Sequence, residues 1–173
     1  MEIYKFNFPI FIKDLILDNK YIDIVKNKYL KKFEFNENNY FEQDDNYFSL
    51  QTSELLKNYL IEILQELNNK ENLNYKECRI ENTWVQKYKV NDFHDCHIHN
   101  PKGFSFIIYV DCTEDSSETL FYNVGYPYVS TTTYRVKPKA GRCVVFHGAI
   151  PHTALPNKDD KRLIVSGNIK FYQ

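Results

Sequence analysis

The spacing of hydrophobic residues changes character partway along the chain. Before residue 78 the apolar positions recur at helical intervals. Leu56, Leu60, Ile63, Leu64 and Leu67 form one continuous stripe behind Ser53, a good capping residue, and predict a helix over 53–69. Ile22, Val25 and Tyr29 share a face behind Asp18 and predict another over 18–32. Residues 2–8 alternate, with Ile3, Tyr4 and Phe6 among charges, and read as an edge strand. Residues 34–50 mix Asn and acidic residues with aromatics and read as a loop. From residue 78 onward the period is two, the period of a strand. The stretches 78–90, 104–111, 119–123, 130–137, 142–147 and 162–172 are predicted strands, separated by Asp, Asn, Gly and Pro. Short strands joined by turns point to a sandwich or jelly roll, with the 53–69 helix buttressing one sheet face.

Composition sharpens that division. All five glycines and five of the six prolines lie in the second half, where strands must reverse most often. With 173 residues, one domain is expected: 1–77 as helical support and edge strand, 78–173 as the jelly-roll core. Lys and Arg total 22 against 23 Asp and Glu, for a net charge of −1. That balance argues against a nucleic-acid binder, which would rely on neutralising phosphates. No run approaches the roughly 18 apolar residues of a membrane span. The start, MEIYKFNFPI, has neither the apolar core nor the cleavage site of a signal peptide. A cytoplasmic protein is therefore expected. Cys78, Cys96, Cys112 and Cys143 include no C-x-x-C pair and are expected to be reduced.

The histidines carry the candidate chemistry. His94, His97 and His99 are close together, and His147 and His152 follow about fifty residues later. Alternation along a strand would point His97 and His99 to the same side, where both can reach one ion. His152 follows the apolar run Cys143–Phe146, in the loop that begins at Gly148. It would complete a set of three ligands that leaves positions open for substrate. Ordinary surface histidines are the competing reading. Asp95 shares the parity of His97 and could be a ligand or orient one. His94 has the opposite parity and reads as a loop or surface residue.

Arg162 opens the last predicted strand. Alternation groups Arg162, Ile164, Ser166 and Asn168 on one face, with Leu163, Val165 and Ile169 on the other. A guanidinium facing a barrel interior needs a partner. A ligand carboxylate would supply one through a bidentate, charge-assisted contact. The alternative is an arginine at a strand end, reaching out to solvent. Trp84, Gln86 and Tyr88 also share a face. They line a pocket if that face is inward; otherwise Trp84 packs on the 53–69 helix.

In order along the chain, these pieces resemble the core of the 2-oxoglutarate/Fe(II)-dependent oxygenases. The matching segments are Trp84–Tyr88, His97-Ile98-His99-Asn100-Pro101, Phe104–Tyr109, Gly141–Phe146, His152 and Arg162. The resemblance is strongest to a branch found in phages and marine bacteria, with H-x-H before a Ser-containing strand ending in Tyr. It implies an α+β fold built on a double-stranded β-helix (jelly roll) with an N-terminal helical buttress. It implies that His97 and His152 bind Fe(II) and that Arg162 holds the C5 carboxylate of 2-oxoglutarate. The family's usual Asp or Glu is His99 here, and a three-His set suits zinc as well as iron. Ile164 stands where many members have Ser or Thr, so Ser166 or Tyr109 would help hold the carboxylate. His147 falls at a position that is not a ligand in the family. The implied reaction consumes O2, hydroxylates a small molecule or peptide, and releases succinate and CO2. Two other classes stay open. One is a three-His cupin-like metalloprotein that does not use 2-oxoglutarate; the other is a non-catalytic jelly-roll binding module.

Overall fold

A computed structural model of the chain describes residues 8–29, 42–44 and 50–172. Its strands are β1 (Ile10–Asp14), β2 (Glu42–Asp44), β3 (Glu77–Tyr88), β4 (His94–His97) and β5 (Phe104–Asp111). They continue with β6 (Thr119–Tyr122), β7 (Thr133–Val136), β8 (Arg142–His147), β9 (His152–Ala154) and β10 (Arg162–Tyr172). The helices are α1 (Asn19–Ile24), which runs into a π turn at Val25–Tyr29, and α2 (Leu50–Lys70).

The strands form two sheets. The larger has the order β1-β8-β5-β10-β3-β2 and the smaller β4-β9-β6-β7. Every pairing is antiparallel. This is the jelly roll expected from the spacing of short strands. The N-terminal half does more than support it, because β1 and β2 supply both edges of the larger sheet.

Alternation divides the larger sheet into two apolar faces. On β5, Phe104, Phe106, Ile108 and Val110 point outward; on β10, Leu163, Val165 and Ile169 do the same. This outer face is covered by Tyr21 and Val25 and by the α2 stripe of Leu56, Leu60, Ile63, Leu64 and Leu67. The inner face carries Ile107, Tyr109, Val144, Phe146 and Ile164, packed against Phe121, Ile150 and Ala154 of the smaller sheet and its loops. The protein thus has three layers, with a second apolar core between the two sheets. The candidate ligands His97, His99 and His152 and the candidate anion anchor Arg162 lie in that inner layer.

Several sequence expectations shift. Residues 2–7 of the predicted edge strand lie outside the described residues, and the strand that is seen begins at Ile10. Asp18 does cap α1, accepting from the Lys20 amide at 2.7 Å, but regular α-helix ends at Ile24. The predicted end at residue 32 lies outside the described residues. Most of the predicted 34–50 loop does too, while residues 42–44 pair with β3. Ser53 sits inside α2 and not at its start, because the helix already includes Leu50. The strand predicted over 130–137 shortens to β7. All four cysteines are free.

Candidate metal centre and anion pocket

Three imidazoles converge between the sheets. The ligand-competent atoms of His97, His99 and His152 all lie within 4.8 Å of one another. His97 and His152 face each other directly across the β4–β9 ladder, with ring centroids 4.3 Å apart. His99 completes the group at 5.2 Å from His97 and 5.1 Å from His152.

The surroundings set which nitrogen is available. His97 Nδ1 lies 2.7 Å from the Asp95 carbonyl, and His152 Nδ1 lies 3.1 Å from the Ile150 carbonyl. A carbonyl can only accept, so Nδ1 carries the proton in each ring and Nε2 keeps its lone pair for an ion. Phe121 and Phe146 pack on the His152 ring at 5.6 and 4.7 Å and hold its orientation. Burial disfavours the charged imidazolium and lowers all of these pKa values, His99 to about 4 and His152 well below its ordinary value. His97 is lowered by burial too, although the Asp95 carbonyl opposes the change. At neutral pH the three rings are neutral, the form that binds a metal.

His99 does not reach the group by strand alternation. β4 ends at His97, and His99 is placed by the following turn. Its amide donates to the Gly148 carbonyl at 2.9 Å, while the Gly148 amide donates to the Gly103 carbonyl at 2.8 Å. Residue 148 must be glycine for this close approach, because a Cβ there would collide with the Asn100 carbonyl oxygen. His152, expected in a loop, instead opens β9.

His94 overturns the parity argument. The β4–β9 register shifts between His94 and His97: three residues on β4 span the same interval as two on β9. The extra residue returns His94 to the inner side. Its ring stacks on His97 at 3.9 Å and 23° and lines the same pocket as the three candidate ligands. Burial, followed by the neighbouring His97 and His99, lowers its pKa to about 3.

Arg162 lies at the other end of this pocket and is only 1% exposed. Its Nη2 donates to Thr119 Oγ1 at 3.0 Å, and its guanidinium carbon stands 4.1 Å from the centre of the Tyr88 ring. Thr119 Oγ1 also bonds the Tyr109 hydroxyl at 2.6 Å. Arg162 Nε and Nη1 are buried and meet no hydrogen-bond acceptor among the described residues. No carboxylate pairs with Arg162 there either. A buried guanidinium left this way is costly unless a ligand anion meets it.

The remaining candidates separate. Gln86, Tyr88 and Ser166 line the pocket with Trp84, whose ring stands 5.7 Å from His99. Val85, on the opposite face of β3, packs toward α2, which answers the question left open for Trp84. Ser166 Oγ reaches Gln86 Oε1 at 3.4 Å and does not bond Arg162. Two candidates fall outside the pocket. Asp95 is exposed and contributes a backbone carbonyl, since the β4 irregularity breaks its parity with His97. Asn168 is engaged one row beyond Ser166, between Ser105 and Asn82. His147 points to the other side of β8, against Phe8 and Phe104. Sequence reasoning missed Thr119 and His94. No local signal marks Thr119, whose role depends on the strand register across the barrel.

No protein-family model matches the chain, and no curated protein matches it by sequence. Solved structures do. The viral collagen prolyl hydroxylase vCPH of Paramecium Bursaria Chlorella virus-1, in its 2OG complex, superposes with a TM-score of 0.64 at 19% identity, over 95% of this chain and 96% of that one. A Pseudomonas putida prolyl-4-hydroxylase gives 0.67 at 15% identity, over 95% and 93%. The epimerase SnoN, in complex with Fe3+, alpha ketoglutarate and nogalamycin RO, gives 0.68 at 12% identity, over 93% and 78%. The fold is that of the 2-oxoglutarate/Fe(II) oxygenases. This accounts for the two-sheet architecture. No helix among the described residues is long and apolar enough to cross a membrane.

Proposed function

We propose that the protein is a 2-oxoglutarate- and Fe(II)-dependent oxygenase that hydroxylates a small molecule or peptide. The observation that carries this reading is a fully buried Arg162, unpaired by any acid among the described residues, in the same narrow pocket as three converging histidines. One end of the pocket suits a divalent ion and the other a carboxylate. The rows that hold His152 and Thr119 are two strand residues apart, about 6.6 Å, comparable to the length of a five-carbon diacid. The bound 2OG of vCPH and the Fe3+ and alpha ketoglutarate of SnoN support the same pair of cofactors here. The prolyl hydroxylases among the neighbours support hydroxylation as the outcome.

Iron with 2-oxoglutarate would supply oxygen activation and the oxidative decarboxylation to succinate and CO2. The chain's own residues bind and orient. His97, His99 and His152 offer neutral nitrogens to the ion. Arg162, with Thr119 and Tyr109 behind it, grips the far carboxylate. Tyr88 covers the guanidinium face, a cation–π contact that also excludes water. Ile107 and Ile164 keep the wall between the two ends apolar. Trp84, Gln86 and Ser166 are left for the prime substrate.

A second reading is a three-His metalloprotein without 2-oxoglutarate, favoured by a ligand group that contains no carboxylate. Anaerobic titration of the Fe(II) protein with 2-oxoglutarate separates the two. A saturable, weak visible charge-transfer band is expected. No band with iron demonstrably bound would overturn the oxygenase and promote the second reading.

A further inference from the structure

The smaller sheet presents its inner residues to the pocket in rows. Across β4, β9 and β6, one row reads His97, His152, Phe121. The next reads His94, Ala154, Thr119. The first row holds two of the three candidate metal ligands. The second ends in the residue that fixes Arg162, through the 3.0 Å bond from Nη2 to Thr119 Oγ1. His94 therefore belongs to the anion end of the pocket. Between its two polar ends this row has only the methyl group of Ala154, so the space above Ala154 is bounded by an imidazole on one side and the Thr119–Arg162 pair on the other.

We propose that His94 is a second anchor for 2-oxoglutarate, donating an imidazole N–H to the carboxylate that Arg162 grips. The inference rests on the oxygenase reading above. Strands in a sheet lie about 4.8 Å apart, so His94 and Thr119 are separated by roughly twice that, with Ala154 between them. A carboxylate over Ala154 is within reach of both side chains. Its two oxygens offer about four acceptor sites, more than one arginine fork uses. Ala154 is the small floor that admits it. The stack on His97 fixes the plane of the His94 ring. The register shift in β4 serves this arrangement, because without the extra residue His94 would face the other side of the sheet.

The test is 2-oxoglutarate affinity by anaerobic titration of the iron-loaded protein, with iron affinity measured separately on the same variants. His94→Phe keeps a flat ring on His97 but removes the N–H. It is expected to weaken 2-oxoglutarate about ten- to a hundredfold, the usual cost of one charge-assisted hydrogen bond, while iron affinity stays within about twofold by the same reasoning. His94→Gln restores a donor and is expected to recover most of the loss. Unchanged 2-oxoglutarate affinity in His94→Phe would overturn the proposal. Equal losses for iron and 2-oxoglutarate would also overturn it, by showing that His94 acts only through the His97 ring. A wild-type protein that binds iron but no 2-oxoglutarate would instead remove the oxygenase reading on which the proposal stands.

Discussion

Arg162 and Thr119 meet through a 3.0 Å bond from Nη2 to Oγ1, joining the inner faces of the two sheets at the closed end of the pocket. A neutral hydroxyl is a modest partner for a guanidinium that is 1% exposed. The arrangement makes sense for binding and little sense for stability. Arg162→Lys keeps the charge and loses the fork, so 2-oxoglutarate affinity is expected to fall moderately. Arg162→Met should lower it at least ten- to a hundredfold, on the order of 1.5–3 kcal/mol. The same Met variant should raise the melting temperature of the ligand-free protein, because an apolar side chain replaces a buried charge that meets no acidic partner among the described residues. Ligand-free melts and anaerobic titrations of the two variants check both arms. A less stable Arg162→Met protein would mean that the guanidinium is already well paired without a ligand.

The ligand set makes its own prediction. His97→Ala and His152→Ala should each lose stoichiometric iron, since each removes one of three converging nitrogens. His99→Asp should retain Fe(II), because it places a carboxylate where an imidazole stood. Trp84 is the only tryptophan in the chain, and its ring is 5.7 Å from His99. Its fluorescence should therefore be quenched on Fe(II) addition in the wild type and in His99→Asp, but not in His97→Ala. Full quenching in His97→Ala, with iron retained, would move the ion off this group.

Much of this was legible in the sequence because it follows simple periods. Strands β5, β8 and β10 match their predicted stretches since each alternates cleanly between two apolar layers. The inward side of Arg162 follows from the same alternation. What failed were places where the period breaks. One extra residue between His94 and His97 leaves no mark in composition, yet it brings His94 into the pocket and sends Asp95 out of it. His99 arrives through a turn held by Gly148, a residue about fifty positions away, where the sequence suggested a continuous strand. Thr119 shows no local pattern at all. It matters because β6 lies beside β9 and opposite β10, which is a property of the assembled sheets.

The helical layer is open to a stability test. Leu60 is 1% exposed, in the middle of the α2 stripe over the larger sheet. Leu60→Asp would bury a charge among apolar neighbours and should cost several kcal/mol, roughly 3 or more, as a severe core lesion does. Chemical denaturation measures it. A loss below about 0.5 kcal/mol, the range of ordinary surface changes, would place the stripe away from the sheet.

Finally, the four pocket histidines should make the metal-free protein sensitive to mild acid. In the unfolded chain each titrates near 6.5. In the folded protein burial holds them lower, His94 at about 3 and His99 at about 4, with His97 lowered and His152 well below its ordinary value. Between those values and 6.5 the unfolded chain binds more protons than the folded one, so stability rises with pH across that window. The contribution is complete above about pH 6.5 and is lost progressively as pH falls toward 4 and then 3. Most carboxylates change charge below about pH 5, so a comparison of melts at pH 7.5 and 5.5 isolates the histidines. The metal-free wild type should melt at a lower temperature at pH 5.5. His152→Phe removes one buried imidazole from the count, and the gap between its two melting temperatures should be smaller than in the wild type. Bound iron should protect at pH 7.5 and much less at pH 5.5, because protons compete with the ion for the same nitrogens. Equal melting temperatures at the two pH values in the metal-free wild type would show that the imidazoles titrate as if exposed to water, which the enclosed geometry around His152 does not permit.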